Sequence, residues 1–230
     1  VSITAMPDLG LANNIIRMSG GFFTGMFLEW ESKVPIVPID TTINSCGVAI
    51  YQLKKEISIQ DFINSFENVD TKIKNELGYN WNFERGNHFI TLGKLDNGNY
   101  CIVMHASADE YKNDMGKRSL YPPAIKNEKK SVIWYAHDIK TIFSAKNKNR
   151  YLRYLTGDTA NKFISIAIRL ETVNHIRMQE ISTCLFKKYI DKELLFVPHY
   201  GMPSYKSIAI GCSWKKELSV LLTAPEKDIY

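Results

Sequence analysis

Residues 85–107 read RGNHFITLGKLDNGNYCIVMHAS, two apolar runs folded about Asn97-Gly98 with a histidine near each outer end. Asn-Gly between apolar runs is a hairpin signal, because both residues tolerate the positive φ of a tight two-residue turn. The stretch therefore predicts an antiparallel strand pair over 88–106. With Asn97 and Gly98 as a two-residue loop, Asp96 pairs with Asn99, His88 falls opposite Ser107, and His105 falls opposite Ile90. Side chains alternate along a strand, so His88 and His105 would share one face as diagonal neighbours, about 7–8 Å apart at the backbone. A one-residue bulge would send them to opposite faces. Two readings stay open on the residues alone. The pair are hydrogen-bonded core histidines, or their neutral imidazoles converge on a metal ion. Cys46, where INSCGV enters an apolar run, adds a third donor candidate as a soft thiolate.

Outward from the hairpin, CGVAIYQL (46–53) reads as a buried strand, and SIQDFINSFENVDTKIKNELG (58–78) as one helix with a capping serine and a terminal glycine. TANKFISIAIRLETVNHIRMQEI (159–181) is the strongest helical pattern, with Phe163, Ile166, Ala167, Leu170 and Val173 as its apolar stripe. The first forty residues suggest short strands and turns. SVIWYAHDI, ELLFVP, YKSIAIG and ELSVLLTAP read as further strands, and 107–130 as an exposed loop. Helices and strands alternate irregularly, so the pattern predicts an α+β fold over a single domain, 1–230.

Of the 230 residues, 45% are hydrophobic and 23% charged, which is ordinary for a folded chain. No apolar run reaches the roughly 18 residues of a membrane span, so no membrane association is expected. The first residues have neither the charged nor the apolar region of a secretory signal. Four widely spaced cysteines, with no CxxC pair, lead to the expectation of a reducing, intracellular compartment, cytoplasm or organelle matrix. The net charge of +5 is compatible with an anionic partner without demanding one, and the lysine runs at 126–131 and 146–150 read as solvated loops or phosphate contacts.

Several segments in chain order resemble the RtcB family of RNA ligases. AMPDLGLAN (5–13) is similar to that family's early PDxH segment, with Gly10 where its histidine falls. VPIDTTINSCGVAI resembles VGVDIGCG through Cys46-Gly47, ERGNHFITL matches GNHF through Gly86, Asn87, His88 and Phe89, and IVMHASADE is similar to IHSGSRG through His105 and Ser107. TANKF resembles a helical ANR, VPHYGMPSY is loosely similar to PGSMGxxSY, and TAPEKDIY stands where SAPHGAGR would be. The resemblance implies RtcB-like mixed sheets with flanking helices, a manganese site and an RNA partner. Its cysteine bridges two manganese ions, and its asparagine of GNH contacts the guanylate. Carried over, Cys46, His88 and His105 are metal candidates and Asn87 a nucleotide-binding candidate.

The departures carry equal information. The family's metal-binding aspartate falls on Ile43, and Asp40, three residues earlier, could substitute for it only with a rearranged backbone. A further histidine ligand after the helix has two candidate counterparts, His175 and His199. The histidine that takes GMP from GTP is replaced by Glu226, and the arginine of SGSRG is missing, with Asp109 and Glu110 nearby. Guanylylation from GTP is therefore not expected. The leading expectation is a divergent, non-ligating member that keeps part of a manganese site and acts beside RNA or within a larger protein assembly. The alternative is an active ligase, or a metal-dependent phosphoesterase.

Overall fold

The hairpin forms, but one residue out of the expected register. In the computed structural model, which describes residues 1–11, 15–84, 86–108, 120, 133–147 and 149–213 with the side chains at 7 and 8 excepted, strands β5 (Phe89–Lys94) and β6 (Tyr100–Ala106) pair with Phe89 opposite His105. The Gly98 N–H donates to the Leu95 carbonyl and the Leu95 N–H to the Asn99 carbonyl, each at 2.8 Å, with Gly98 at φ +84°. This is a three-residue loop closed by a left-handed glycine. The Asn97 side chain accepts from the Asn99 N–H at 3.0 Å, and Asn97 itself does not take the positive φ that a two-residue turn would require.

The remaining strands are β1 (Ser2–Gly10), β2 (Thr24–Glu29), β3 (Ile36–Pro38), β4 (Gly47–Leu53), β7 (Lys140–Phe143), β8 (Tyr151–Thr156), β9 (Ile190–Pro198), β10 (Tyr200–Ser204) and β11 (Ser207–Ile210). They build three antiparallel sheets, ordered β1-β2-β11-β10, β3-β8-β7 and β5-β6-β4-β9. With a few helices set among them, the architecture is mixed α+β. No helix among the described residues is long and apolar enough to cross a membrane.

One helix joins these sheets. Helix α4 (Gly157–Phe186) exceeds its expected span at both ends and touches all three sheets. Its first half sends Phe163, Ile164, Ala167 and Leu170 into a core shared with β2, β3, β8, β10 and β11. Its second half sends Met178, Ile181, Leu185 and Phe186 into a separate core under β4 and β6. Between the two, the buried positions are polar, Asn174 and Arg177, and Val173 is only half-buried. Asn174 Nδ2 donates to the Ser45 and Ala106 carbonyls (3.1 and 2.9 Å), and Arg177 to the Ser107 and Asn80 carbonyls (2.9 and 2.7 Å). The Asn174 bonds and the Arg177 bond to Ser107 hold main-chain carbonyls beside the start of β4 and at the end of β6.

Residues 58–78 are not one helix. They form α2 (Ile59–Asn64) and α3 (Val69–Leu77), broken at Asn68, which adopts φ 52°. Phe62, Phe66, Val69 and Ile73, spaced as on one helical face, all still reach the same core across the break. Ser58 caps α2 through the Asp61 N–H, and Gly78 ends α3 with φ +75°. Another short helix, α1 (Ile15–Gly20), stands among the early strands and turns. SVIWYAHDI is not a strand: its described part, 133–139, is a turn and a 3-10 segment, Ala136–Asp138, tied down by the Tyr135 hydroxyl donating to the Leu120 carbonyl. ELSVLLTAP, Glu226 and the lysine run at 126–131 lie outside the described residues, as do Asp109 and Glu110.

Candidate metal centre

Strand alternation and the observed ladder bring three donors to one end of one sheet face. On β6, Cys101 and Val103 lie on the face away from α4, packed with Ile50 and Leu195; His105 continues that set. Val48 of β4 is paired with both His105 and Val197. Cys46 stands two residues before Val48, and His199 two residues after Val197. The His199 N–H donates to the Cys46 carbonyl at 3.1 Å, so the ladder runs one pair beyond the last strand residues. Cys46, His105 and His199 thus share one face, and their ligand atoms all lie within 4.8 Å of one another. Cys46 and His105 are each only 4% exposed, and His199 is half-buried. Cys46 is in no disulfide.

The main chain fixes which ring nitrogen His88 and His105 present. A carbonyl can only accept, so His105 Nδ1, 2.8 Å from the Asn87 oxygen, carries a proton, and so does His88 Nδ1, 3.0 Å from the Asn82 oxygen. The Val197 backbone hydrogen-bonds the His199 ring in the same sense. In neutral His105 Nε2 then keeps its lone pair, and it faces His199 Nε2 at 3.2 Å. With the His199 proton on its Nδ1, the two lone pairs at that distance would repel unless a cation sat against both; with it on Nε2, the contact is a hydrogen bond. Two nitrogens held by one ion at about 2.0–2.1 Å in a tetrahedral site would stand about 3.3 Å apart, which fits. Ring nitrogens held by backbone carbonyls on their far side are the usual support of histidine ligands.

Burial disfavours protonation here. It pushes the His199 ring down to about 4, helped by neighbouring His105, with the Val197 bond opposing and His88 adding a smaller push. Burial also lowers His105, partly offset by its bond to Asn87. Neutral rings are the ligating form.

His88 meets this group by a route that strand alternation does not give. In the observed register its alternation would oppose that of His105, yet the rings pack edge to face at 5.6 Å. His88 precedes β5, after a turn through Gly86 at φ +63°, and its bond to Asn82 turns the ring inward. Its donor does not join the close group of three.

Other sequence candidates sit elsewhere. Asp40 is fully buried and bound to Arg153, whose Nε and backbone N–H donate to its two oxygens at 2.8 and 3.0 Å. Its carboxylate is occupied there and does not reach Cys46. Ile43, at the family's aspartate position, is a buried apolar core residue, and the Asn44 side chain accepts from the Cys46 N–H at 3.0 Å. The Asn87 side chain is exposed. Of the two later histidines, His199 joins the cluster. His175 instead contacts Glu193 at 2.9 Å and stacks on Phe196 at 4.1 Å. Phe196 also covers Gly47, where an added Cβ would lie 2.8 Å from the ring. That close approach accounts for glycine following Cys46.

Sequence reasoning held His199 only as one of two alternatives. The period-two step from Val197 was its signal, and it becomes readable once β9 is known to pair with β4. Asn82 and Asn174, which support the site, had no such signal. Compared with protein-family models, curated proteins and solved structures, the chain matches none.

Proposed function

We propose that this protein binds one divalent transition-metal ion through Cys46, His105 and His199, as a divergent, non-ligating relative of the RtcB ligases. The observation that carries the reading is the gathering of the Cys46 thiol and the His105 and His199 ring nitrogens within 4.8 Å, with His105 Nε2 free of its proton and 3.2 Å from His199 Nε2. Among the described residues no carboxylate joins these donors. With Ile43 at the aspartate position and Asp40 taken by Arg153, the donors for a second ion are incomplete. A thiolate with two imidazoles suits zinc, cobalt or copper better than manganese, which prefers carboxylate and water oxygens. Manganese, the ion implied by the resemblance, is thus expected to bind more weakly than zinc, and GTP is not expected to leave a covalent guanylate. Association with RNA or with a larger protein assembly belongs to the same proposal.

A second reading is favoured by one observation: three protein donors, rather than four, is the ligand number of catalytic zinc sites. In a phosphoesterase the ion would polarise a phosphate or activate water. His105 and His199 would hold it, Cys46 would supply negative charge, and their burial would keep competing protons off the rings.

The test is metal content of the purified chain, with zinc titrated into chelator-treated protein and into the Cys46→Ser and His199→Ala variants. One equivalent bound by the parent and lost in both variants supports the site; no bound metal and an unchanged melting temperature would overturn it. Incubation with labelled GTP and manganese should leave no covalent label. A label lost in His199→Ala would restore the ligase reading.

A further inference from the structure

One polar group beside this centre has no structural use. Ser107 is fully buried, and its hydroxyl makes no hydrogen bond. Its backbone is firmly held, because its carbonyl accepts from both Asn82 Nδ2 (3.1 Å) and Arg177 (2.9 Å). Gly47 pairs with Ala106. Continued one step past this last pair, the register would set Ser107 across from Cys46, and the alternation Cys101, Val103, His105 would carry its side chain to the donor face. A buried hydroxyl left unsatisfied costs roughly 1–3 kcal/mol. Such groups in native proteins usually answer to a bound water, ion or ligand.

Building on the metal-site reading above, the geometry points to Ser107 as the hydrogen-bond partner of a small exogenous ligand, water or a small anion, that fills an open fourth position beside Cys46. The position is open in that, among the described residues, the close donor group holds three. His88, the nearest further imidazole, stays outside it and is tied to Asn82. The hydroxyl can donate to an anion or accept from water, and either use satisfies it. It is a positioning residue for that ligand and not itself a donor to the ion.

Cobalt(II) is the probe, since its visible bands report ligand number and exchange. The chelator-treated chain is loaded with cobalt(II) and titrated with azide, alongside Ser107→Ala and Ser107→Gly, two variants that only remove atoms. The expected result is a band shift with azide in the parent. Azide affinity should fall about tenfold in both variants, the worth of one hydrogen bond to an ion, while cobalt affinity and melting temperature of the loaded form stay close to the parent. Cobalt bound without any azide response, or an azide response indifferent to the loss of the hydroxyl, would overturn this assignment while leaving the metal site standing. A spectrum that changes in His88→Ala and ignores azide would show that His88 closes the fourth position, and would overturn it too. Failure to bind cobalt or zinc at all would remove both the assignment and the reading beneath it.

Discussion

The backbone N–H of His199 donates to the carbonyl of Cys46, at 3.1 Å. Two donor residues 153 positions apart (199 less 46) are therefore joined through their main chains, independently of what their side chains bind. Removing either side chain should leave this ladder intact, so loss of metal can be separated from loss of fold. Cys46→Ser and His199→Ala are each expected to weaken zinc binding about 100-fold. That figure takes about 3 kcal/mol per ligand, a quarter share of the free energy of a four-ligand zinc site. Competition titration against a chromophoric chelator measures it, with circular dichroism confirming the fold. An affinity loss below about threefold in both would remove these residues from the site.

The metal-free chain should lose stability in acid. His199 is held at about 4 by burial and its neighbouring histidines, against 6.5 ordinarily. Between those values the unfolded chain takes up a proton that the folded chain refuses. The stabilising contribution is therefore complete above pH about 6.5, shrinks as pH falls through the window, and levels off below about 4. Urea midpoints between pH 7 and pH 4 should decline, and His199→Gln should flatten that slope. A parent and variant with parallel slopes would contradict the assignment of the proton to His199.

Asp40 should matter to folding and not to metal. Asp40→Asn leaves Arg153 buried without its counter-charge, a change expected to cost about 3–5 kcal/mol. Replacing the pair together, as Asp40→Leu with Arg153→Met, should recover much of this. Denaturant melts test the stability, and zinc stoichiometry of whichever variants fold should stay at one. Loss of zinc from a folded double variant would return Asp40 to the ligand set.

Asn174 closes the seam between the two cores by bridging the Ser45 and Ala106 carbonyls. Asn174→Ala should cost about 1–3 kcal/mol through the acceptors it orphans. Because those carbonyls flank Cys46 and His105, zinc affinity should fall as well, by about 10–100-fold as for other supporting residues. A chain destabilised with unaltered zinc affinity would show that the seam and the site are independent.

The positions of the strong elements were legible. The Asn97-Gly98 turn, the strand after Cys46 and the stripe from Phe163 to Leu170 all depend on local pattern, and all are present. What misled was local chemistry read with the wrong count. Asn97 uses its side chain to cap a three-residue loop, so the pairing slipped by one residue and the shared-face argument for His88 no longer held. The histidines nevertheless meet, because His88 lies before the strand where alternation does not apply. His199 was ambiguous because its place depends on β9 pairing with β4, a contact between distant parts of the chain that no local period encodes. Asn68 likewise breaks an otherwise continuous helical stripe by taking a left-handed conformation.

The three imidazoles are oriented by the carbonyls of Asn82, Asn87 and Val197, and any residue carries a carbonyl. Substitution at 87 or 197 can therefore drift without turning a ring, provided the strand path is kept. Ancestry in such a centre would persist in the course of the main chain after the side chains that spell a motif had been overwritten. A search for lost relatives of this site would do better to follow three carbonyls and one ladder bond than a string of letters.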